Sequence, residues 1–142
     1  METSAVRKRI LDVLNAARRD AAERRTRNAE AGAAYEKFLE SVATPVCRQI
    51  ADVLKAERLP FTVQTPAGAV RVASERSAGD FLEIRLDTSA ARPTVVVHVE
   101  RVKGRERHED VQPIREGVGI EHLTEEDVLN ALADTLGPFV ER

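Results

Sequence analysis

Residues 6–42 read VRKRILDVLNAARRDAAERRTRNAEAGAAYEKFLESV, and one apolar stripe keeps helical phase through the whole stretch. At 100° per residue, eleven apolar side chains of this stretch fall within a sector of about 120°: Val6, Ile10, Val13, Leu14, Ala17, Ala21, Ala31, Tyr35, Phe38, Leu39 and Val42. The periodicity predicts one long helix, which would measure roughly 55 Å if unbroken. The rest of a 142-residue chain is too small to cover such a helix as one compact body. We therefore expect something else to bury the stripe.

The same stripe divides into almost five heptads, with large side chains at both ends and small or polar ones in the middle. Two copies running antiparallel around a centre near residue 26 would place large residues opposite large ones, as when Leu14 faces Phe38. Such a pairing is two-fold and isologous, and it predicts a homodimer in which Arg24 finds an acceptor such as the partner's Asn28. The predicted interface comprises Ile10, Leu14, Ala17, Ala21, Arg24, Asn28, Ala31, Tyr35, Phe38 and Val42.

The alternative is a helical hairpin within one chain, bent somewhere in the span 27–32. Asn28 and Gly32 are the poorest helix formers there. Against a bend, no proline interrupts the span. The preceding turns also carry acid-before-base pairs such as Asp20 with Arg24, each worth about 0.2–0.5 kcal/mol to an exposed helix. Both forms remain open at this point.

The Thr44-Pro45 step ends the first helical segment in the sequence pattern. Threonine as an N-cap followed by proline at the first helical position predicts a second helix over 45–59. A kinked continuation of the first helix is the competing interpretation, because a proline inside a helix costs about 3 kcal/mol but is tolerated at bends. Residues 1–58 are thus predicted as a helical arm and oligomerisation segment.

From Phe61 onward the hydrophobic period changes to two, which predicts an antiparallel meander of four or five strands. A two-residue turn at Lys103-Gly104 would pair Glu100 with Arg107 and so place opposite charges in register. Pro113 marks the fifth strand as an edge strand or as its end. The predicted strands cover 61–65, 69–73, 82–86, 95–102 and a segment from 105 onward.

Thr124 opens the last predicted helix as an N-cap, with Asp127 completing a capping box, and Gly137-Pro138 ends it. We expect this helix to lie across the sheet. Residues 59–142 are therefore predicted as an antiparallel sheet with a C-terminal helix, and the whole chain as an α+β fold, as one domain overall.

Candidate chemical groups are few. His98, His108, Glu109 and His122 offer nitrogen and oxygen ligands, but their spacing is not a metal motif, and a cross-strand polar pair of His98 with Glu109 is favoured. Cys47 is interpreted as a small core residue rather than a reactive thiol. No metal, cofactor or catalytic residue is predicted.

Composition narrows the class of partner. Arg18, Arg19, Arg24, Arg25 and Arg27 point in nearly all directions on a helical wheel, which disfavours a dedicated nucleic-acid face. Aromatic residues make up only 4% of the chain, so few rings are available to stack on bases or sugars, which disfavours a binder of single-stranded DNA or carbohydrate. No window approaches 18 apolar residues, so no membrane partner is expected. The single cysteine predicts a cytoplasmic protein, and the arginine and alanine bias is typical of a GC-rich bacterial genome.

The sequence as a whole predicts a non-catalytic, homo-oligomeric assembly or protein-interaction module. Three alternatives remain open: a small-ligand-binding protein or enzyme with a pocket between sheet and helices, a chaperone-like or adaptor-like protein binder, and a nucleic-acid binder that uses the arginine-rich helix. No motif in the chain decides between these classes.

Overall fold

The N-terminal part of the chain is one long helix that runs into a second without a loop. In the computed structural model, which describes residues 1–140, helix α1 spans Thr3–Phe38, a π-helical turn spans Leu39–Ala43, and α2 spans Thr44–Ala56. The predicted long helix is confirmed. The alternative hairpin is wrong, because residues 27–32 stay helical despite Asn28 and Gly32.

The Thr44-Pro45 step lies inside this continuous helix. Thr44 has helical backbone angles, φ −63° and ψ −46°, and its N–H donates to the carbonyl of Leu39, five residues earlier. An N-cap needs an extended backbone, so the predicted cap is wrong and the competing continuation is confirmed. The wider π turn suits Pro45, which lacks an N–H and whose ring crowds the carbonyl four residues before it.

The second half of the chain forms a five-stranded antiparallel sheet in the order β1-β2-β3-β4-β5. This meander is the predicted one, with strand limits that differ by one or two residues. The helices cover one face of the sheet, where the core side chains include Val70, Val72, Leu82, Ile84, Val95, Val97 and Val99. The strands are β1 Phe61–Gln64, β2 Ala69–Ser74, β3 Phe81–Asp87, β4 Thr94–Lys103 and β5 Glu106–Pro113.

The β4–β5 hairpin departs from the predicted register by two residues. Its two-residue loop is Gly104-Arg105, and Lys103 pairs with Glu106 across it. Gly104 has φ +64°, and a positive φ at the first central position is the pattern of a type II′ turn. The consequence is that Glu100 pairs with Glu109, so the expected pairing of Glu100 with Arg107 is wrong.

The last turns of α1 and most of α2 anchor the helix on the sheet. The Tyr35 hydroxyl donates to the carbonyls of Gly68 and Ile84, at 2.7 and 3.3 Å. Burial raises the pKa of Tyr35, and the charge of Glu83 adds to the effect. Cys47 is 1% exposed, and burial raises the pKa of its thiol to about 12. The expectation that Cys47 is a core residue is confirmed.

Helix α3 spans Glu125–Val140 and starts with the predicted capping box. The Thr124 N–H donates to Asp127 Oδ2 at 3.0 Å, and the Asp127 N–H donates to Thr124 Oγ1 at 3.2 Å. The expected stop at Gly137-Pro138 is wrong, since the helix continues for one more turn. Phe139 lies in that turn and packs edge-on against Phe61, with ring centroids 5.8 Å apart. This aromatic contact stabilises the additional turn.

We expect Thr124→Ala to lower the free energy of unfolding by about 1 kcal/mol, because it leaves an N-terminal amide of α3 without its side-chain acceptor. Thr124→Ser keeps the hydroxyl and should stay within a few tenths of a kcal/mol of the wild type. Urea unfolding followed by circular dichroism measures both variants. Equal losses in the two variants would contradict a capping role.

Asp127 should make the free energy of unfolding depend on pH. The Thr124 N–H, the Thr124 hydroxyl and Arg115 at 3.1 Å hold the pKa of Asp127 below its usual range. A lowered folded-state pKa gives stability that is complete above the unfolded pKa of about 3.9 and is lost as the pH falls through the folded value.

The difference in unfolding free energy between wild type and Asp127→Asn should therefore be full near neutral pH and shrink below about pH 4. Denaturant unfolding across this pH range measures the difference. Asp134→Asn, an exposed change on the same helix, is the control. A difference that is constant with pH would refute the assignment.

Candidate functional site

The first seven turns of α1 are not covered by any other part of residues 1–140. We call Thr3–Arg27 the arm; at 1.5 Å per residue it is about 37 Å long, and within it only Ala21 is even partly buried. Its apolar side chains are exposed, with Ile10 at 52% and Leu14 at 42%. Contiguous exposed apolar faces on small proteins are typical of contact surfaces.

The ten residues of the predicted dimer interface fall into three groups. Ile10, Leu14, Ala17 and Arg24 are exposed on the arm, while Ala21, Asn28, Ala31 and Val42 are half-buried. Tyr35 and Phe38 are only 4% exposed, since they pack into the core of their own chain. The half of the stripe nearer the sheet is thus already covered, and the half on the arm is not.

A second apolar surface lies between α2 and α3. The α2–α3 groove has a volume of about 450 Å³ and is open to solvent. Val53, at 63% exposed, and Leu129, at 48%, are its most exposed apolar side chains. Its apolar lining consists of Val46, Ile50, Val53, Leu54, Leu129 and Leu136. The sequence pattern puts Val46, Ile50, Val53 and Leu54 on the apolar face of the second helix and Leu129 and Leu136 on the buried face of the last one. It does not show that the two faces leave a groove between them.

The charges of the arm and of the groove are opposite. The arm carries eight basic and three acidic side chains, and three of the basic ones, Arg7, Lys8 and Arg9, adjoin its exposed apolar residues. Glu125 and Glu126 line the groove and are exposed. Oppositely charged surfaces of this kind attract each other and set the orientation in which two surfaces meet.

The candidate metal ligands of the sequence separate in space. His98 lies buried on the sheet face that points away from the helices, and its Nε2 is 3.0 Å from Glu109 Oε1. The expected proximity of His98 and Glu109 is therefore confirmed, although Val111 is the residue directly opposite His98. His108 and His122 are exposed and belong to other surroundings.

Sequence reasoning missed Glu83 and Glu100, which lie on the same outer face as His98. Glu83 pairs with His98 across β3 and β4, and Glu100 Oε1 is 3.5 Å from His98 Nε2. The alternation of side-chain direction along β3 and β4 does place Glu83 and Glu100 on the sheet face that points away from the helices. The predicted hairpin register differs from the observed one by two residues, so it does not place Glu100 opposite Glu109.

The arginines that the sequence offered for phosphate contacts are exposed along the arm, and Arg18 donates to Asn15 Oδ1 at 3.4 Å. None of the helices within residues 1–140 has a stretch long and apolar enough to cross a membrane. No family model, curated protein or solved structure that was compared with the chain matches it significantly. The site must therefore be interpreted from its own geometry.

Proposed function

We propose that this protein is a homodimeric assembly module, in which the arm of each copy lies in the α2–α3 groove of the other. The observation that carries the proposal is the uncovered apolar face of the arm. The free energy of burying apolar surface, about 25 cal/mol per Å², favours any arrangement that covers this face. The groove is the exposed apolar surface of the same chain that best fits it.

A second copy is favoured over a foreign partner because both halves of the contact are present on one chain. The arm supplies apolar side chains flanked by Arg7, Lys8 and Arg9, and the groove supplies apolar walls beside Glu125 and Glu126. A two-fold axis then makes each contact twice, once in each direction. Such a dimer leaves neither the arm nor the groove exposed.

An antiparallel alignment of the two long helices satisfies this arrangement. When Ile10 lies opposite the partner's Ile50, Leu14 lies opposite the partner's Val46, because both intervals are four residues in opposite directions. The midpoint of this alignment is residue 30, where α1 leaves its own sheet. It differs by one helical turn in its centre from the pairing expected from heptads, in which Leu14 meets Phe38. It places the arm along residues that line the groove, of which Val46 and Ile50 are themselves only 5% and 8% exposed.

The geometry supports a structural role. A continuous helix from Thr3 to Ala56 measures about 80 Å, so an antiparallel pair holds two sheets at opposite ends of a helical rod. No helix within residues 1–140 covers the outer face of the sheet, which is directed away from the core. We infer that the module fixes the distance between these two faces.

The double substitution Ile10→Asp with Leu14→Asp should convert the protein from a dimer, at twice the 15.7 kDa chain mass, to a monomer. Both side chains are exposed in a single copy, so the monomer should keep its circular dichroism spectrum. Leu11→Asp is the matched control, because Leu11 lies at least 60° outside the apolar stripe of the same helix. Sedimentation equilibrium across a concentration series measures the mass. A wild-type monomer at all concentrations would overturn the proposal.

Substitutions in the α2–α3 groove test the other half of the proposed contact. Val53→Asp or Leu129→Asp should weaken the dimer by at least tenfold in dissociation constant, since each puts a charge into the apolar contact. Val140→Asp, also an exposed apolar residue on α3 but outside the groove lining, is the control. If both groove variants dimerise like the wild type while the arm variants do not, the arms pair with each other and the groove has no part in the contact.

A further inference from the structure

A cluster of four ionisable side chains occupies the outer face of the sheet, remote from the arm and the groove. We propose that His98, Glu100 and Glu109 form a binding site for a divalent transition-metal ion, with zinc as the best match. Glu83 supports the site by orienting the histidine. The proposal is independent of dimer formation.

Glu100 and Glu109 repel each other across the β4–β5 hairpin. These two residues are directly opposite on neighbouring strands, where like charges destabilise a sheet. The arginine that lies beside Glu100 is Arg107, whose Nε is 3.9 Å from Glu100 Oε2 and which is mostly exposed. A cation between the two carboxylates removes the repulsion.

His98 is a buried side chain whose ring nitrogens lack hydrogen-bond partners within the described part of the chain. The residue is only 6% exposed, and neither of its ring nitrogens makes a hydrogen bond to any residue between 1 and 140. Buried polar atoms without a partner are costly, and each needs an explanation. Carboxylate oxygens lie 3.0 and 3.5 Å from Nε2, yet outside hydrogen-bonding geometry. A metal ion needs only that the three donors surround a common point.

The spacing of the donors fits a small ion. One nitrogen and two carboxylate oxygens lie within 4.8 Å of one another. Zinc takes imidazole and carboxylate ligands at about 2.0–2.2 Å, which puts neighbouring ligand atoms of a tetrahedral site about 3.3–3.5 Å apart. The imidazole nitrogen favours zinc and similar transition metals over magnesium and calcium, which prefer oxygen alone.

The side chains around His98 are of the kinds that hold a metal-ligating histidine in place. Glu83 Oε2 is 3.9 Å from His98 Nδ1, and Arg71 holds the other oxygen of Glu83 at 3.1 Å. A carboxylate behind a ligating histidine fixes the ring and its tautomer by accepting its N–H, so we expect the 3.9 Å separation between Glu83 and His98 to shorten when an ion binds. The Phe81 ring packs edge-on against His98, with centroids 5.5 Å apart, and limits access of water from that side. Glu109 is half-exposed and leaves the site open to an ion from solvent.

The charge balance also favours a cation. Glu83, Glu100 and Glu109 bring three negative charges to one small region. Arg71 contacts Glu83 at 3.1 Å, and Arg107, which is mostly exposed, lies 3.9 Å from Glu100. Glu109 has no arginine or lysine within 4 Å among residues 1–140, so a cation beside it improves the charge balance. Three protein ligands leave at least one coordination position for water or another small ligand, as in open zinc sites.

The test uses the untagged full-length chain, stripped with a chelator and titrated with zinc against a chromogenic competitor. We expect one zinc ion per chain and a rise in melting temperature when zinc is added. Cobalt substituted for zinc should give visible absorption bands that report four- or five-fold coordination. Glu109→Gln should lower the zinc affinity by at least about a hundredfold, and Glu83→Gln by about ten- to a hundredfold.

Glu106→Gln and His122→Asn are the matched controls, since Glu106 lies on the opposite face of β5 and His122 is an exposed histidine outside the sheet. Both should bind zinc like the wild type. In chelator, Glu109→Gln should melt at or above the wild-type temperature, because it relieves the repulsion with Glu100. A wild type that binds zinc no better than Glu109→Gln would overturn the proposal. So would a Glu109→Gln variant that is equally destabilised with and without zinc, since His98 and Glu109 would then be a simple polar pair.

Discussion

The anchoring of the long helix on the sheet by Tyr35 and Phe38 is the constraint on which the rest of the structure depends. The helix is continuous from Thr3 to Ala56, so the direction that these two buried residues impose is also the direction of the arm. The hydroxyl of Tyr35 reinforces the anchor through the carbonyl of Gly68. A helix held so firmly at one end must project at the other, and no loop lets the arm fold back onto its own sheet.

The same apolar stripe thus has two roles along one helix. Near the sheet it builds the core, where Phe38 and the following π turn bring α2 into contact with β1 and β2. Beyond residue 27 towards the N-terminus it faces solvent. The π turn keeps the helix intact across Pro45, so the core segment and the arm remain parts of one rod. This continuity is what makes an antiparallel pairing of two copies geometrically simple.

Sequence reasoning succeeds where one periodic signal dominates, as in the long helix, the alternating strands and the capping box at Thr124. It fails where tertiary contacts decide between close alternatives. The sequence around Pro45 predicts the start of a helix, but a π turn accommodates this proline inside a continuous helix. Helix α3 continues past Pro138 because Phe139 packs against Phe61. The hairpin register depends on which residues form a two-residue loop, and Gly104 suits either of two positions. The α2–α3 groove arises from the packing of two helices, which no local pattern encodes.

Two features of this protein conflict with what stability alone would select. The arm exposes large apolar side chains to water, and the outer sheet face buries a histidine among carboxylates without hydrogen bonds. Natural sequences depart from local consistency mainly where function requires it. The two departures lie on different surfaces and call for different remedies, since apolar area needs another surface and clustered negative charge needs a cation. The proposed second copy would cover the apolar arm, and the proposed cation would compensate the clustered carboxylates.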